Sequence, residues 1–429
     1  MVSNRVSAPL IYNLFPRHFA VIDEWNPVLR HVKKMGFTAV FVNPFNETGF
    51  SGSLYAVKDY FRLNPLFLRA GQDPADFKPL EKFIAGCGAA GLGLIMDLVI
   101  NHTAKDSPLV KQHPSWYKRD PSGSVSSPFA IDPGDPGKVT VWGDLASIDN
   151  GHSADRENLW KFWDSIVTFY QKIGIRGFRC DAAYQVPSSL WKWLIALAKN
   201  RCSSTVFYAE TLGCRLDQVE ALRDCGFDYL FNSVKWWNYD QSWALDQHAS
   251  NKRIAPSIGF AESHDTERLA SVPPGTEQAQ KSRYAFAALF SAGLLMPSGF
   301  EYGAVTRMDV VRGTPKDVDK QKWNMTQWIR AMNRLKLSIP VLAEEGSWRP
   351  LCDWGHAYIF LEKSSDRGSK PAYVCINKNP HASTAIDTEM VPQEVHRCTK
   401  SLSLLSCPIA EDEIPPAFLL DPAEIVLFV

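Results

Sequence analysis

An excess of either charge is missing from this chain. Its 46 lysines and arginines are matched by 46 aspartates and glutamates, with no basic stripe along it. A nucleic acid needs a positive surface, so no nucleic-acid partner is expected. Cysteine is sparse and unpatterned: nine residues, an odd number, with no C-x-x-C and no metal-type spacing. Cys87, Cys180 and Cys225 lie in apolar or strand-like runs, which points to buried free thiols. Long hydrophobic runs are absent as well, so no membrane span is expected. Met1 to Val6 lacks the apolar run of a secretory leader and Leu10 to Phe15 is too short to supply one. A cytoplasmic protein is the expectation. No repeat of solenoid period occurs. What the chain does have is 429 residues, 45% of them hydrophobic. That suits one large domain with a smaller one, and the balanced charge suits a neutral ligand such as a carbohydrate.

Short β-branched or aromatic runs alternate with amphipathic helical spacing through most of the chain. Strands are predicted at 10–15, 39–42, 94–99, 177–181, 206–210, 229–231, 257–261 and 294–297. The third is almost wholly apolar, as a parallel strand covered on both faces must be. Helical spacing follows each strand, at 28–36, 77–90, 159–172, 189–200, 215–224, 241–249, 278–292 and 325–335. Eight such units predict an α/β fold, a closed (β/α)8 TIM barrel. Two segments break the rhythm. Residues 103–155 are rich in Pro, Gly, Ser and Asp, too long for a plain loop, and are expected to form an excursion domain over one side of the barrel mouth. After about residue 344 only short strands remain, at 357–361, 372–376 and 423–428. The expected division is a barrel of 1–102 and 156–344, the excursion at 103–155, and a C-terminal antiparallel β-domain at 345–429.

Three carboxylates, Asp181, Glu210 and Asp265, stand where a predicted strand gives way to a loop. In a parallel barrel those ends converge on the face that carries chemistry. Arg179 and Asp181 are two positions apart, so they point to one side, with Phe178 and Cys180 turned toward the helices. A guanidinium at that position keeps Asp181 ionised, as a nucleophile requires, although a merely structural ion pair has the same pattern. Glu210 has no cation beside it in sequence. Partial desolvation and negative neighbours would raise its proton affinity, which suits a general acid, although a helix-cap partner reads alike. Asp265 follows His264. Two carboxylates facing each other are the minimal machinery for cleaving a glycosidic bond.

Taken together, Asp97-Leu98-Val99-Ile100-Asn101-His102, Gly177-Phe178-Arg179-Cys180-Asp181-Ala182-Ala183, Tyr208-Ala209-Glu210-Thr211 and Glu262-Ser263-His264-Asp265-Thr266 occur in this order on the third, fourth, fifth and seventh strands. This set resembles the signature of the α-amylase family of retaining glycoside hydrolases, family 13, over about residues 11–302. The resemblance implies that Asp181 attacks the anomeric carbon and that Glu210 protonates the leaving oxygen, then deprotonates the acceptor. The two would stand about 5–5.5 Å apart. It implies that Asp265 grips ring hydroxyls, that Arg179, His102 and His264 bind the sugar or the nucleophile, and that Asp97 supports Arg179. Ser53-Leu54-Tyr55-Ala56-Val57-Lys58-Asp59-Tyr60 adds a match: Tyr55 would stack beneath the sugar, and Asp59 with Tyr60 completes the pattern. The implied substrate is an α-glucan or maltooligosaccharide, and no cofactor is implied for the chemistry.

Departures touch the acceptor side. A Lys-His pair often follows the second motif, whereas here Ala183 leads into Tyr184-Gln185, and Ser263 replaces the usual asparagine. Asn101 matches the family's calcium-binding asparagine. Asp132, Asp135, Asp144 and Asp149 could add oxygen ligands, but their spacing fits solvated turn acids as well, so no metal ligand is assigned. Trp116, Trp142, Trp236, Trp237 and Trp243 are candidates for outer sugar subsites, about half of them expected to serve in packing. Glu301-Tyr302 lies near the rim without an assigned role. Hydrolysis of α-1,4-glucan is the leading reading. Transglycosylation, as in the maltosyltransferases, uses the same three acids, and phosphate as acceptor is a smaller possibility. A noncatalytic binding or scaffold protein on the same barrel is disfavoured by the survival of all three acids.

Overall fold

The computed structural model describes residues 8–132, 135–414 and 417–429, so the leader reading at Met1 to Val6 lies outside the described residues. Leu10–Leu14 (β1), Ala39–Val42 (β2), Gly93–Leu98 (β3), Gly177–Cys180 (β4), Val206–Ala209 (β5), Tyr229–Phe231 (β6), Ser257–Phe260 (β7) and Gly293–Pro297 (β8) pair in parallel in chain order. β8 closes onto β1 with Ile11 opposite Leu295. This is the expected eight-stranded TIM-type barrel. Helices follow the strands at Asn26–Lys34 (α1), Lys78–Ala89 (α2), Arg156–Ile173 (α3), Ser188–Arg201 (α4), Leu216–Glu220 (α5), Trp243–Asn251 (α6), Glu277–Phe290 (α7) and Thr326–Ser338 (α8).

Strand alternation sorts the core into two layers. Ile11, Phe41, Ile95, Tyr208, Phe231, Ile258, Phe260 and Leu295 pack together inside the barrel. The residues between them, among them Tyr12, Val40, Met96, Phe178, Cys180, Phe207 and Leu230, join the larger core beneath the helices. The inner layer leaves no room at the start of β4, where a Cβ on Gly177 would meet Ile95 Cγ1 at 2.6 Å. α3 shows how the outer layer is made. Leu159, Trp163, Ile166, Val167 and Tyr170 recur at helical spacing and are buried, and Gly174, at φ 111°, ends the helix in the left-handed region.

The predicted helix at 215–224 is shorter than its spacing suggests. After Glu220 the chain tightens into turns (Arg223 N–H to Glu220 O, 3.0 Å) and Asp224 takes φ 60°. Between β3 and α3 the chain forms a short antiparallel pair, His102–Ala104 with Leu145–Ser147, and a hairpin, Phe129–Asp132 with Asp135–Val141. Periodicity failed to reveal them because the strands are short and the hairpin exposes apolar side chains: Phe129, Ile131, Val139 and Val141 all face solvent. Toward the C-terminus a six-stranded sheet runs in the order Ser347–Pro350, Tyr358–Ser364, Ala372–Asn377, Ile425–Phe428, Ser401–Ser403, Ala410–Asp412, and its pairings are antiparallel. All nine cysteines are free, with Cys87, Cys180 and Cys225 buried. Among the described residues no helix is long and apolar enough to cross a membrane.

Candidate active site

Arg179 is the hub of the barrel mouth. β4 and β3 pair with Arg179 opposite Asp97, and the Arg179 Nη1 donates to Asp97 Oδ1 and Oδ2 at 2.9 and 2.8 Å and to Asp181 Oδ1 at 2.7 Å. Burial works against the guanidinium charge, but Asp97, Asp181 and Glu210 outweigh it and keep the group protonated. Burial also lifts the proton affinity of Asp97, which Arg179 opposes, so each buried charge depends on the other. Tyr55 closes the network: its hydroxyl donates to Asp97 Oδ2 at 2.7 Å and lies 2.6 Å from His264 Nε2.

Glu210 has the opposite environment. Burial, followed by the charges of Asp181 and Asp265, pushes its carboxyl up to about 8 against the pull of Arg179. Its Oε2 accepts the Ala182 N–H at 3.0 Å and its Oε1 the Leu212 N–H at 2.6 Å. Ala182 sits at φ 42°, ψ 46°, a left-handed conformation that costs a non-glycine residue about 1 kcal/mol. That strained turn directs the amide following Asp181 at the Glu210 carboxyl and so ties the two acids together.

Asp181, Glu210, Asp265, Tyr55, His102 and Arg179 all line one cleft of about 990 Å³. His264 lies behind its wall. It stacks on Tyr55 with centroids 5.4 Å apart and planes 4° apart, reaches Asp265 Oδ2 at 3.2 Å, and lines a small pocket shared with Arg179, Glu210 and Asp265. Burial lowers the proton affinity of both His102 and His264. His102 Nε2 faces Tyr55 O at 3.2 Å, which makes that nitrogen the donor and leaves Nδ1 as acceptor. Asp59 does not join the site. It lies on the strand Val57–Leu63, accepts the Phe61 N–H at 2.8 Å and is not part of the cleft wall, because the strand turns it away while Tyr60 points inward and donates to Val99 O.

Of the five tryptophans named as subsite candidates, Trp142, Trp236 and Trp243 line the cleft, whereas Trp116 and Trp237 are buried in packing. Glu301 is buried away from the cleft against Tyr12 and His31. The cleft also recruits residues that sequence reasoning passed over. Asn43 donates to the Tyr55 hydroxyl at 2.9 Å and accepts from Asn13. An asparagine directly after an all-apolar strand was the signal for it. Arg307 donates to Asp265 O at 3.2 Å, and Lys138 reaches the cleft from the hairpin 129–141. Both come from distant loops that carry no local signal.

Most side chains expected to hold a calcium ion are engaged with protein partners instead. Asn101 Nδ2 donates to Gln185 Oε1 at 3.0 Å. Asp132 pairs with Lys138, Asp135 accepts the Gly137 N–H and Asp149 accepts the His152 N–H. Among the described residues no group of three or more His, Cys, Asp and Glu side chains could hold a metal ion.

Comparison with known proteins agrees with this architecture. Residues 8–131 match the family model described as glycogen debranching enzyme, glucanotransferase domain. The chain is 24% identical over 364 residues to an alpha-1,4-glucan:maltose-1-phosphate maltosyltransferase of Burkholderia pseudomallei, covering 79% of this chain and 30% of that protein. It is 22% identical over 411 residues to the enzyme of the same name from Myxococcus xanthus, covering 86% and 59%. The chain thus spans less than two thirds of the length of these curated relatives. Among solved structures, an alpha-amylase from Lactobacillus plantarum superposes with a TM-score of 0.73 at 19% identity, covering 98% of this chain and 99% of that one. The trehalulose synthase of Pseudomonas mesoacidophila gives 0.76 at 15% identity, covering 98% of each chain. The chain has the α-amylase-family fold and is distantly homologous, over most of its length, to the maltose-1-phosphate maltosyltransferases.

Proposed function

We propose that this chain, built on the α-amylase-family fold, is a retaining enzyme that cleaves α-glucosidic linkages of α-glucans or maltooligosaccharides by double displacement. One observation carries the reading. Within a single cleft an aspartate is held by a buried arginine while a glutamate has its carboxyl pushed up to about 8. A general acid needs a carboxyl that keeps its proton, and a nucleophile is served by a carboxylate hydrogen-bonded to a guanidinium.

A glucose unit stacks on Tyr55 with Asp265, half of whose side chain is exposed, gripping its hydroxyls. Asp181 attacks the anomeric carbon as Glu210 gives its proton to the departing oxygen. Glu210, now ionised, then takes a proton from the acceptor, which displaces Asp181 and restores the original anomeric configuration. Trp142 and Trp236, both partly exposed on the cleft wall, offer faces for further glucose units. In this reading residues 1–102 and 156–344 form the catalytic barrel, 103–155 cover its mouth and 345–429 form the C-terminal β-domain. The free thiols suit a reducing, cytoplasmic setting.

Water as acceptor makes the enzyme a hydrolase. A second reading, transfer to a sugar hydroxyl, is favoured by the names of the two maltosyltransferase relatives. Incubation with maltooligosaccharides of one defined length, with and without phosphate, separates them. Shorter sugars alone mean hydrolysis, longer sugars in addition mean transfer, and sugar phosphates mean phosphorolysis. An intact substrate pool under all conditions overturns the proposal.

A further inference from the structure

The expected calcium position has a structure of its own. Asn101 is buried, immediately precedes the cleft histidine His102, and stands at the base of the segment that carries the hairpin 129–141. Its Nδ2 has two hydrogens. One goes to Gln185 Oε1 at 3.0 Å and the other points to His102 Nδ1 at 3.4 Å, the nitrogen left as acceptor because Nε2 donates to Tyr55 O. Gln185 Nε2 in turn reaches Phe129 O, at 3.4 Å, on the first strand of the hairpin. The Gln185 carboxamide therefore links three pieces: the loop after β4, the Asn101–His102 step after β3, and the hairpin that lines the cleft. Both Nδ2 hydrogens of Asn101 are thus directed at protein acceptors, and the carboxylates of Asp132, Asp135 and Asp149 are engaged with their own partners.

We propose that Gln185 is a positioning residue that replaces a divalent cation, holding the hairpin on the barrel and His102 in register through Asn101, so that the cleft is assembled without metal. The claim about the cleft's use rests on the glycosidase reading. The claim about the brace does not.

The test uses the full chain. Thermal unfolding of the wild type in EDTA and in calcium chloride is expected to give one and the same midpoint. In Gln185→Leu, of similar size but without hydrogen bonds, trypsin should cut at exposed Lys138 about tenfold faster, while cleavage at barrel sites is unchanged. kcat/KM on a maltooligosaccharide should fall about tenfold. Gln185→Glu keeps an oxygen for Asn101 to donate to and should retain most of kcat/KM. A wild-type midpoint that drops in EDTA and returns with calcium overturns the proposal, as does a Leu variant cut at Lys138 at the wild-type rate. If the wild type turns over no glucan, the functional reading fails while the unfolding and cleavage arms still judge the brace.

Discussion

Single side chains at the cleft hold protonation states that their own charges would not favour. Asp181→Asn keeps an amide oxygen for Arg179 to donate to, so it should fold as the wild type does and lose turnover by about 10⁴-fold or more, measured as kcat on an α-glucan. Glu210→Gln should lower kcat by about 10²–10⁴-fold, with less loss on substrates whose leaving group needs no proton. Because the Glu210 carboxyl stands near 8 when folded against an ordinary 4.5, two pH effects follow. Activity needs the protonated acid, so kcat/KM should decline as pH rises through about 8. Stability has a definite sign as well. Between about 4.5 and 8 the folded state holds a proton that the unfolded state has released, so this group weakens the fold as pH rises across that window. The unfolding midpoint of Glu210→Gln minus that of the wild type should therefore grow from pH 4 to pH 8 and then level off. A flat difference would show that Glu210 is ionised at neutral pH.

Between elements, one carboxylate does the work of several caps. Glu345 accepts the Ser257 N–H at 2.9 Å, the Ser257 hydroxyl at 2.6 Å and the Ala292 N–H at 2.9 Å, and lies 3.0 Å from His248 Nε2. It thereby joins α6 to the starts of β7 and β8. Burial works to raise its carboxyl, but the adjacent His248 and the Ser257 hydrogen bonds prevail and hold it at about 2. Its stabilising contribution is present above the ordinary value of 4.5 and is lost as pH falls toward 2. Glu345→Gln, whose NH₂ would face backbone donors, should cost about 2–4 kcal/mol in urea unfolding at pH 7 and show a smaller acid-side loss than the wild type. This staple was not legible in the sequence, and the reason is general. β1 to β8 were legible because each is a short apolar run bounded by turn residues, and Asp181, Glu210 and Asp265 because each stands at the end of such a run. Asn43, Arg307 and Gln185 act through partners supplied by other elements. That Asp59 lies off the cleft wall was not legible either, because a matching local pattern does not reveal which way a strand turns its side chain.

At the scale of the whole molecule, the C-terminal sheet completes hydrogen bonds that the barrel leaves open. Lys363, fully buried and lowered to about 8 by that burial, donates to Leu289 O at 2.7 Å near the end of α7. Trp348 Nε1 donates to Phe290 O at 3.0 Å and its ring stacks on Phe290 at 5.5 Å. On the next helix, buried Trp328 donates to Leu404 O at 2.7 Å. Cutting the chain after Glu344 would remove Glu345, Trp348, Lys363 and Leu404 together. The last carbonyls of α7 would be left without these partners, and Phe290 and Trp328 would be uncovered. Each orphaned buried group costs about 1–3 kcal/mol, and a domain holds only about 5–15 kcal/mol in all. Residues 1–344 alone should therefore give no cooperative thermal transition and bind a hydrophobic dye, whereas the full chain should unfold in one transition with barrel and sheet probes coincident. A truncated chain that melted sharply with native near-ultraviolet circular dichroism would show that the barrel satisfies itself. The sheet would then be an appendage, not part of the barrel's folding unit.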